Sequence, residues 1–243
     1  MWSTKLTVFV SSSSAIYLLL VCLVAPTTGA TGLQFDVDVT SGADPVVATT
    51  EAQVWLRGDV NGGADKFLCD ATILRENYVV TAAFCVHQRA RDNIKIVISR
   101  SGNGIYYDVV KVVFHPLFNA NTLANDIAVI QVADPITFVP GIIEKAELPG
   151  TVLRGGNTLT MRDGIQTTTL TNYDCQYHVG LSHAGLVKET NVCTLAWGNT
   201  TVGYGILHDK INLLAMYSWK TADVYVLTRI EKYRFWILAE ITK

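Results

Sequence analysis

Short apolar segments separated by turn residues run through most of the chain. They are about five residues long and rich in Val, Ile, Thr and Tyr, which is typical of β-strands. Breakers such as Asn61-Gly62-Gly63 and Gly155-Gly156-Asn157 separate them. The pattern predicts an all-β fold, a sandwich or a barrel, with strands at Ala52–Leu56, Ala71–Leu74, Tyr78–Thr81, Ile94–Ile98, Val109–Phe114, Ile127–Val132, Thr158–Met161, Leu213–Ser218 and Val224–Ile230.

One segment, Glu231–Thr242, has the apolar spacing of a helix. Ile230, Tyr233 and Ile241 recur near a period of 3.6 residues, together with Trp236 or Ile237. It is the only segment for which we predict a helix. The stretch Pro140–Asn157 has little pattern, and we expect it to link two halves of the chain.

Composition excludes several classes of function. The 243 residues are 49% hydrophobic and 16% charged, which is enough apolar material for a large core and argues against disorder. The formal net charge is −2 and no basic run occurs. Binding to nucleic acid, and attraction to membranes by a polybasic patch, are therefore not expected.

The first thirty residues have the features of a secretory signal peptide. Lys5 precedes an apolar run, Ala15–Ala25, and the small residues Thr28 and Ala30 follow it. A transmembrane anchor is the alternative, but the run is short for a span. We predict a leader at 1–30 and a secreted, extracellular domain at 31–243 with no membrane association.

Four cysteines remain after the predicted leader, and an even number in a secreted chain favours disulfides. Four cysteines allow three pairings. The pairing that is local in sequence joins Cys69 to Cys85 and Cys175 to Cys193. Zinc is the competing interpretation, but no C-x-x-C pair occurs and the histidines are not spaced as ligands. We therefore expect no metal and no cofactor.

Several motifs, in order along the chain, carry a family resemblance. The sequence V-V-T-A-A-F-C at Val79–Cys85 resembles the V-(L/V)-T-A-A-H-C motif of trypsin-like serine proteases, with Phe84 in place of the histidine. F-H-P-L-F-N followed by N-D-I-A-V-I resembles the family's next motif and places Asp126 at the triad aspartate. Similar matches are Cys175 with Cys193, Ser218-Trp219, and the ending from Leu227 to Ile237.

The resemblance implies a fold of two six-stranded antiparallel β-barrels with a C-terminal helix, and a cleft between the barrels. It also implies a catalytic triad, from which this chain departs. At position 84 the family's histidine carries a proton between nucleophile and leaving group. The phenyl ring of Phe84 has no lone pair to do so.

The nucleophile is the second departure. Aligning Thr201–Leu207 with the family's G-D-S-G-G-P-L places Gly203 at the serine, Val202 at the aspartate of the activation switch and Thr201 at the first oxyanion-loop glycine. Gly203 offers no atom that attacks a carbonyl. An alternative frame places Gly198-Asn199-Thr200 on G-D-S, with Thr200 as the nucleophile.

Activation and substrate binding also depart from the family pattern. Val39 lies where the activated N-terminus would begin, yet no Lys or Arg occurs between Lys5 and Arg57. Ser218, Trp219 and Lys220 are candidates to line the cleft, and Lys220 replaces a preferred glycine, which predicts a blocked entrance. Asn199-Thr200-Thr201 is a glycosylation sequon.

These departures predict a secreted, catalytically inactive homologue that binds an unknown protein partner or regulates proteolysis. Asp126 is then expected to be a structural residue. Two alternatives remain open from the sequence. One is a residual or unusual endopeptidase that uses Asp126, His87 and Thr200, and the other is a storage or structural protein.

Overall fold

Strands are the commonest regular elements in the part of the chain that the computed structural model describes, which comprises residues 49–58, 63–100, 103–160, 164–195, 200–221 and 223–243. These residues belong to one unit, Pro45–Lys243. The strands are β1 (Glu51–Leu56), β2 (Lys66–Arg75), β3 (Tyr78–Thr81), β4 (Ile94–Arg100), β5 (Asn103–Phe114), β6 (Ala128–Val132), β7 (Thr158–Thr160), β8 (Gln166–Thr168), β9 (Asn191–Thr194), β10 (Gly205–His208), β11 (Asn212–Thr221) and β12 (Val224–Arg229). The helices are α1 (Ala83–Val86), α2 (Asn172–Val179), α3 (Leu181–Ala184) and α4 (Arg234–Ile241), with 3₁₀ turns at Arg91–Asn93 and Ile230–Lys232.

The first six strands close into an antiparallel barrel in the order β1-β2-β3-β6-β5-β4. Apolar side chains such as Val54, Ile73, Ile96 and Ile130 are fully buried in its core. Branched side chains favour the extended backbone, and closure leaves no unpaired strand edge. The strand predictions for this half are confirmed, although β2 and β5 extend further than their apolar runs.

The second half also contributes six strands within the described residues. They form a four-stranded sheet, β10-β11-β12-β9, and a hairpin of β7 and β8. A second apolar cluster, which includes Leu159, Ile206 and Leu227, packs inside this half. Residues 140–157 connect the halves, as predicted, and carry no strand of their own.

The prediction that only the last segment is helical is wrong, because α2 and α3 lie between β8 and β9. Only Cys175 and Val179 of α2 are buried, so the helix has no long apolar stripe for periodicity to detect. Its signals are at the ends. Thr171 caps the N-terminus by accepting a hydrogen bond from the Asp174 N–H at 3.1 Å, and Gly180 with φ of 79° ends the helix.

The C-terminal helix is confirmed, but its first turn is tighter than predicted. The segment begins as a 3₁₀ turn at Ile230–Lys232 and becomes α-helical only at Arg234, after Tyr233 adopts a φ of −109°. Ile237 and Ile241 pack on the cluster that fills the first barrel.

Strands β8, β9 and β10 were missed because they are three or four residues long and lack a clear apolar alternation.

Both sequence-local disulfides are present. Cys69 of β2 joins Cys85 of α1, and Cys175 of α2 joins Cys193 of β9. The predicted leader, Val39 and the glycosylation candidate Asn199 lie outside the described residues. No helix in the described ranges is long and apolar enough to span a membrane.

Candidate functional site

A short turn after β3 presents Phe84 to the surface. Ala82 keeps the extended backbone of the strand, and α1 begins at Ala83. Ala83 and Cys85 are buried, while the Phe84 residue is 54% exposed. The disulfide from Cys85 to Cys69 fixes the turn on β2. The phenyl ring is therefore held outward by its neighbours rather than drawn into the core.

Asp126 is the buried polar residue to which this turn is attached. Its Oδ1 accepts a hydrogen bond from the Phe84 N–H at 2.8 Å, and its Oδ2 accepts one from the Ser218 hydroxyl at 2.5 Å. Its carbonyl oxygen accepts a third from the Thr228 hydroxyl at 3.2 Å. Since Ser218 and Thr228 belong to β11 and β12, this one aspartate joins both halves of the fold.

The protonation of Asp126 is altered by its surroundings. Burial raises its pKa to about 6, while hydrogen bonds from Ser218 and from the backbone of Phe84 and Ala83 act in the opposite direction. A buried carboxylate beside a proton carrier can orient it and stabilise its charge. Within the described residues, the Asp126 carboxylate is bonded by backbone N–H groups and by the Ser218 hydroxyl, and Phe84 places a phenyl ring rather than a base beside it.

The loop before β10 carries Gly203 in a left-handed conformation with φ of 87°. Its N–H donates to the Tyr217 carbonyl oxygen at 2.8 Å, and the Val202 carbonyl oxygen accepts from the Asp70 N–H at 2.9 Å. A Cβ atom on Gly203 would lie 2.0 Å from the Asp70 carbonyl oxygen and 2.6 Å from Thr81 Oγ1. The backbone of β2 thus leaves no room for a side chain at this position.

Thr201 and Val202 take different surroundings in the same loop. The Thr201 hydroxyl donates to Asp70 Oδ2, and burial raises the pKa of Asp70 while these hydrogen bonds lower it. Val202 is partly buried and packs against the apolar clusters of both halves. At the position that the resemblance gives to a charged switch residue, the chain makes an apolar contact.

Sequence reasoning missed Asp70. Its signal was an acidic residue inside the apolar strand β2, directly after Cys69. Its partner Thr201 is 131 positions away in sequence. The sequence alone does not indicate that Asp70 and Thr201 are hydrogen-bonded, and the folded structure is needed to identify the pair.

The three cleft candidates of β11 have separate environments. Ser218 is buried on Asp126. Trp219 is partly buried beside the Cys175–Cys193 cluster, and its indole Nε1 is buried without an acceptor among the described residues. Lys220 is exposed and its Nζ lies 5.5 Å from the centre of the Tyr225 ring.

His87, the histidine nearest to Phe84 in sequence, is held in an aromatic cluster. Its ring lies 6.1 Å from the Phe114 ring and 5.4 Å from the Phe118 ring, edge to face in both cases. The hydrogen bonds to the Asp126 carboxylate come from Phe84 and Ser218 instead. No group of three or more metal-binding side chains is placed to hold an ion in the described part of the chain.

Comparisons with known proteins agree with this architecture. A sequence model of the Trypsin family matches residues 45–214. Chymotrypsin-like elastase family member 1 of Rattus norvegicus is 30% identical over 152 residues, which cover 58% of this chain and 55% of that protein. Trypsin eta of Drosophila melanogaster is 34% identical over 112 residues, covering 44% and 43%. The chain spans about half the length of these curated relatives.

Solved structures show the same fold at lower identity. A scabies mite inactivated protease paralogue, S-D1, has a TM-score of 0.67 at 19% identity, covering 79% of this chain and 92% of that chain. GrC has a TM-score of 0.65 at 16% identity, covering 83% and 97%. Since the family model matches well over half of the sequence, the chain belongs to the trypsin family.

Proposed function

We propose that this chain is a catalytically inactive member of the trypsin family that acts by binding a protein partner or by regulating proteolysis. The observation that carries the proposal is the pair of hydrogen bonds on Asp126. Its carboxylate is engaged by the Ser218 hydroxyl and the Phe84 N–H, and the adjacent side chain is an exposed phenyl ring. General acid–base catalysis needs a group there that accepts and returns a proton.

The closed backbone at Gly203 supports the same proposal independently. Nucleophilic catalysis needs a side-chain oxygen or sulfur that an adjacent base activates. Gly203 supplies neither, and the Asp70 carbonyl oxygen occupies the space that a side chain would need. A base introduced at position 84 would therefore still have no nucleophile at position 203 to activate.

An exposed aromatic ring on a rigid turn is suited to binding. Phe84 is held by a disulfide and by a backbone hydrogen bond, so little conformational entropy is lost when a partner covers it. Aromatic residues are common anchors in protein interfaces. The similar scabies mite structure is described as an inactivated protease paralogue, which makes a non-catalytic member of this fold a reasonable analogue.

Secretion is part of the proposal. Two disulfides formed within the fold are characteristic of proteins from oxidising compartments. This agrees with the leader predicted from the sequence. Detection of the protein in culture medium, with residues 1–30 removed, is the direct test.

The test of inactivity exposes the purified protein to a fluorophosphonate probe and a broad peptide library, with an active trypsin as positive control. We expect neither labelling nor turnover. Labelling that disappears in Thr200→Ala would contradict the proposal and support the endopeptidase alternative. A Thr151→Ala variant is the matched control, because Thr151 is an exposed threonine in another loop.

The binding half of the proposal has its own test. The wild type and Phe84→Ala are each used as bait in the native extracellular fluid, and any protein recovered in stoichiometric amount is measured by calorimetry. We expect Phe84→Ala to weaken that interaction, and Phe235→Ala to leave it unchanged, because Phe235 is exposed on α4. Absence of any stoichiometric partner would favour the storage or structural alternative.

A further inference from the structure

A small cavity lies between the end of β2, the segment that links the two halves, and α4. Its volume is about 120 Å³, and its lining includes Leu74, Arg75, Lys145, Glu147, Arg234 and Leu238. Hydrogen bonds hold the linking segment in place, from the Ala146 N–H to the Ile73 carbonyl oxygen at 2.7 Å and from the Glu147 N–H to the Ile211 carbonyl oxygen at 2.7 Å. Fixed backbone on one side and a helix on the other define its walls.

The cavity carries an excess of positive charge. Three of its lining side chains are basic and one is acidic, and Lys145 Nζ pairs with Glu147 Oε1 at 2.7 Å. The side chains of Arg75 and Arg234 form no hydrogen bond or ion pair with any part of the chain that the structure describes. Two guanidinium groups are therefore left without an anionic partner at one small cavity.

Arg234 has a buried hydrogen-bond donor that would be stabilised by an acceptor in the cavity. Its Nε is buried and has no hydrogen-bond partner among the described residues. A buried donor without an acceptor costs roughly 1–3 kcal/mol, and more when the group is charged. Leu74 and Leu238 line the same cavity, and a hydrogen bond to an anion is stronger beside apolar side chains than in bulk water.

We infer that this cavity binds a single tetrahedral oxyanion group, a sulfate or a phosphate. The guanidinium groups of Arg75 and Arg234 would donate charge-assisted hydrogen bonds to it, because the planar fork of arginine fits such oxygens. The cavity has about four times the volume that one water molecule takes in the liquid, which suits one such group. Phe84, Asp126 and Gly203 do not line it, so this site is independent of the proposed function.

The test is titration calorimetry of the full chain with inorganic sulfate and with inorganic phosphate, at constant ionic strength maintained with chloride. We expect saturable binding to the wild type. Arg75→Gln and Arg234→Gln should each weaken it by about tenfold, the loss of one charge-assisted hydrogen bond. Arg154→Gln removes the same charge from an exposed arginine that does not line the cavity, and should leave the affinity unchanged.

A second arm distinguishes a free ion from a sulfated polymer. A sulfated disaccharide that binds more tightly than sulfate, and loses that advantage in Arg75→Gln, would identify a sulfated glycan as the source. Equal binding of sulfate and the disaccharide would identify the free ion. Circular dichroism checks that each variant folds. If Arg234→Gln does not fold, Arg75→Gln still tests the inference, because Arg75 is exposed and its replacement should not disturb the core. No saturable binding of any probe, or equal weakening by Arg154→Gln, would overturn the inference.

Discussion

Two glycines with nearly the same backbone separate the effect of conformation from the effect of space. Gly203 and Gly156 have φ values of 87° and 86°. An added Cβ at Gly203 would collide with Asp70, whereas one at Gly156 meets nothing within 4 Å. We expect Gly203→Ala to lower the free energy of unfolding by roughly 1–3 kcal/mol more than Gly156→Ala, because only the first adds a collision to the cost of positive φ. Urea denaturation measures the free energy of unfolding of both variants. Equal losses of stability would show that the backbone of β2 shifts at little cost to admit the new side chain.

Restoring the missing imidazole tests whether one residue is all that separates this chain from an enzyme. Phe84→His would place a ring beside Asp126 at a position whose N–H already bonds that carboxylate. We expect no labelling by a fluorophosphonate, because Gly203 still provides no nucleophile. Phe84→His combined with Gly203→Ser should be equally inert, since the new side chain has no room. Labelling of the single variant would reveal another activated hydroxyl.

Sequence motifs predict some of the residues of this site, but not all of them. Phe84, Asp126 and Ser218 each lie in a motif of the family resemblance, and the structure joins all three through the Asp126 carboxylate. Asp70 lies in no such motif and acts through its backbone as well as its side chain. The nearest obstruction at Gly203 is a main-chain oxygen, that of Asp70, which is the same atom in every residue type, so no sequence pattern records it.

At the scale of elements, α2 depends on its cap more than on its packing. Thr171 accepts from the Asp174 N–H at 3.1 Å and donates to Asp174 Oδ2 at 2.6 Å, while only two residues of the helix are buried. Thr171→Ala should therefore cost about 1 kcal/mol of stability. Thermal denaturation checks the value against Thr151→Ala, an exposed threonine outside any helix. If the two variants lose the same stability, the cap contributes nothing.

The same helix shows why element prediction from this sequence was uneven. Strands of the first barrel, such as Tyr78–Thr81, are continuous apolar segments, and they were predicted because burial on one or both faces requires that pattern. Helix α2 is fixed by Thr171, Gly180 and a disulfide to β9, which are single positions rather than a period. Short strands such as β8 are defined by pairing with a neighbour, here β7, rather than by a long apolar run of their own.

Across the whole molecule, Asp126 is a connection between halves rather than a relic confined to one loop. Its contacts reach α1 in the first half and both β11 and β12 in the second. A charged side chain in this position loses its hydration, and the hydrogen bonds only partly compensate, which is why its pKa is raised to about 6. The fold is therefore more stable when the carboxyl group carries its proton, although the hydrogen bonds to it favour the ionised form.

This predicts a specific dependence of stability on pH. The pKa of Asp126 is about 6 in the fold, compared with about 3.9 in an unfolded chain. The folded state thus holds the proton more tightly, so the contribution to stability is complete below about pH 4 and is lost as the pH rises through 6. The loss should amount to about 3 kcal/mol of the free energy of unfolding.

Asp126→Asn isolates that contribution, because an amide resembles the neutral carboxyl group and keeps an oxygen for the Phe84 N–H. Urea denaturation from pH 4 to pH 8 should show the wild type losing stability relative to this variant over that range. Other groups, including Asp70, whose pKa is also raised, are present in both proteins and cancel in the difference. Asp223→Asn, at an exposed turn, should follow the wild type throughout. If the curves of wild type and Asp126→Asn run parallel instead, Asp126 is ionised in the fold at acidic pH, and the two halves are joined by a charged carboxylate.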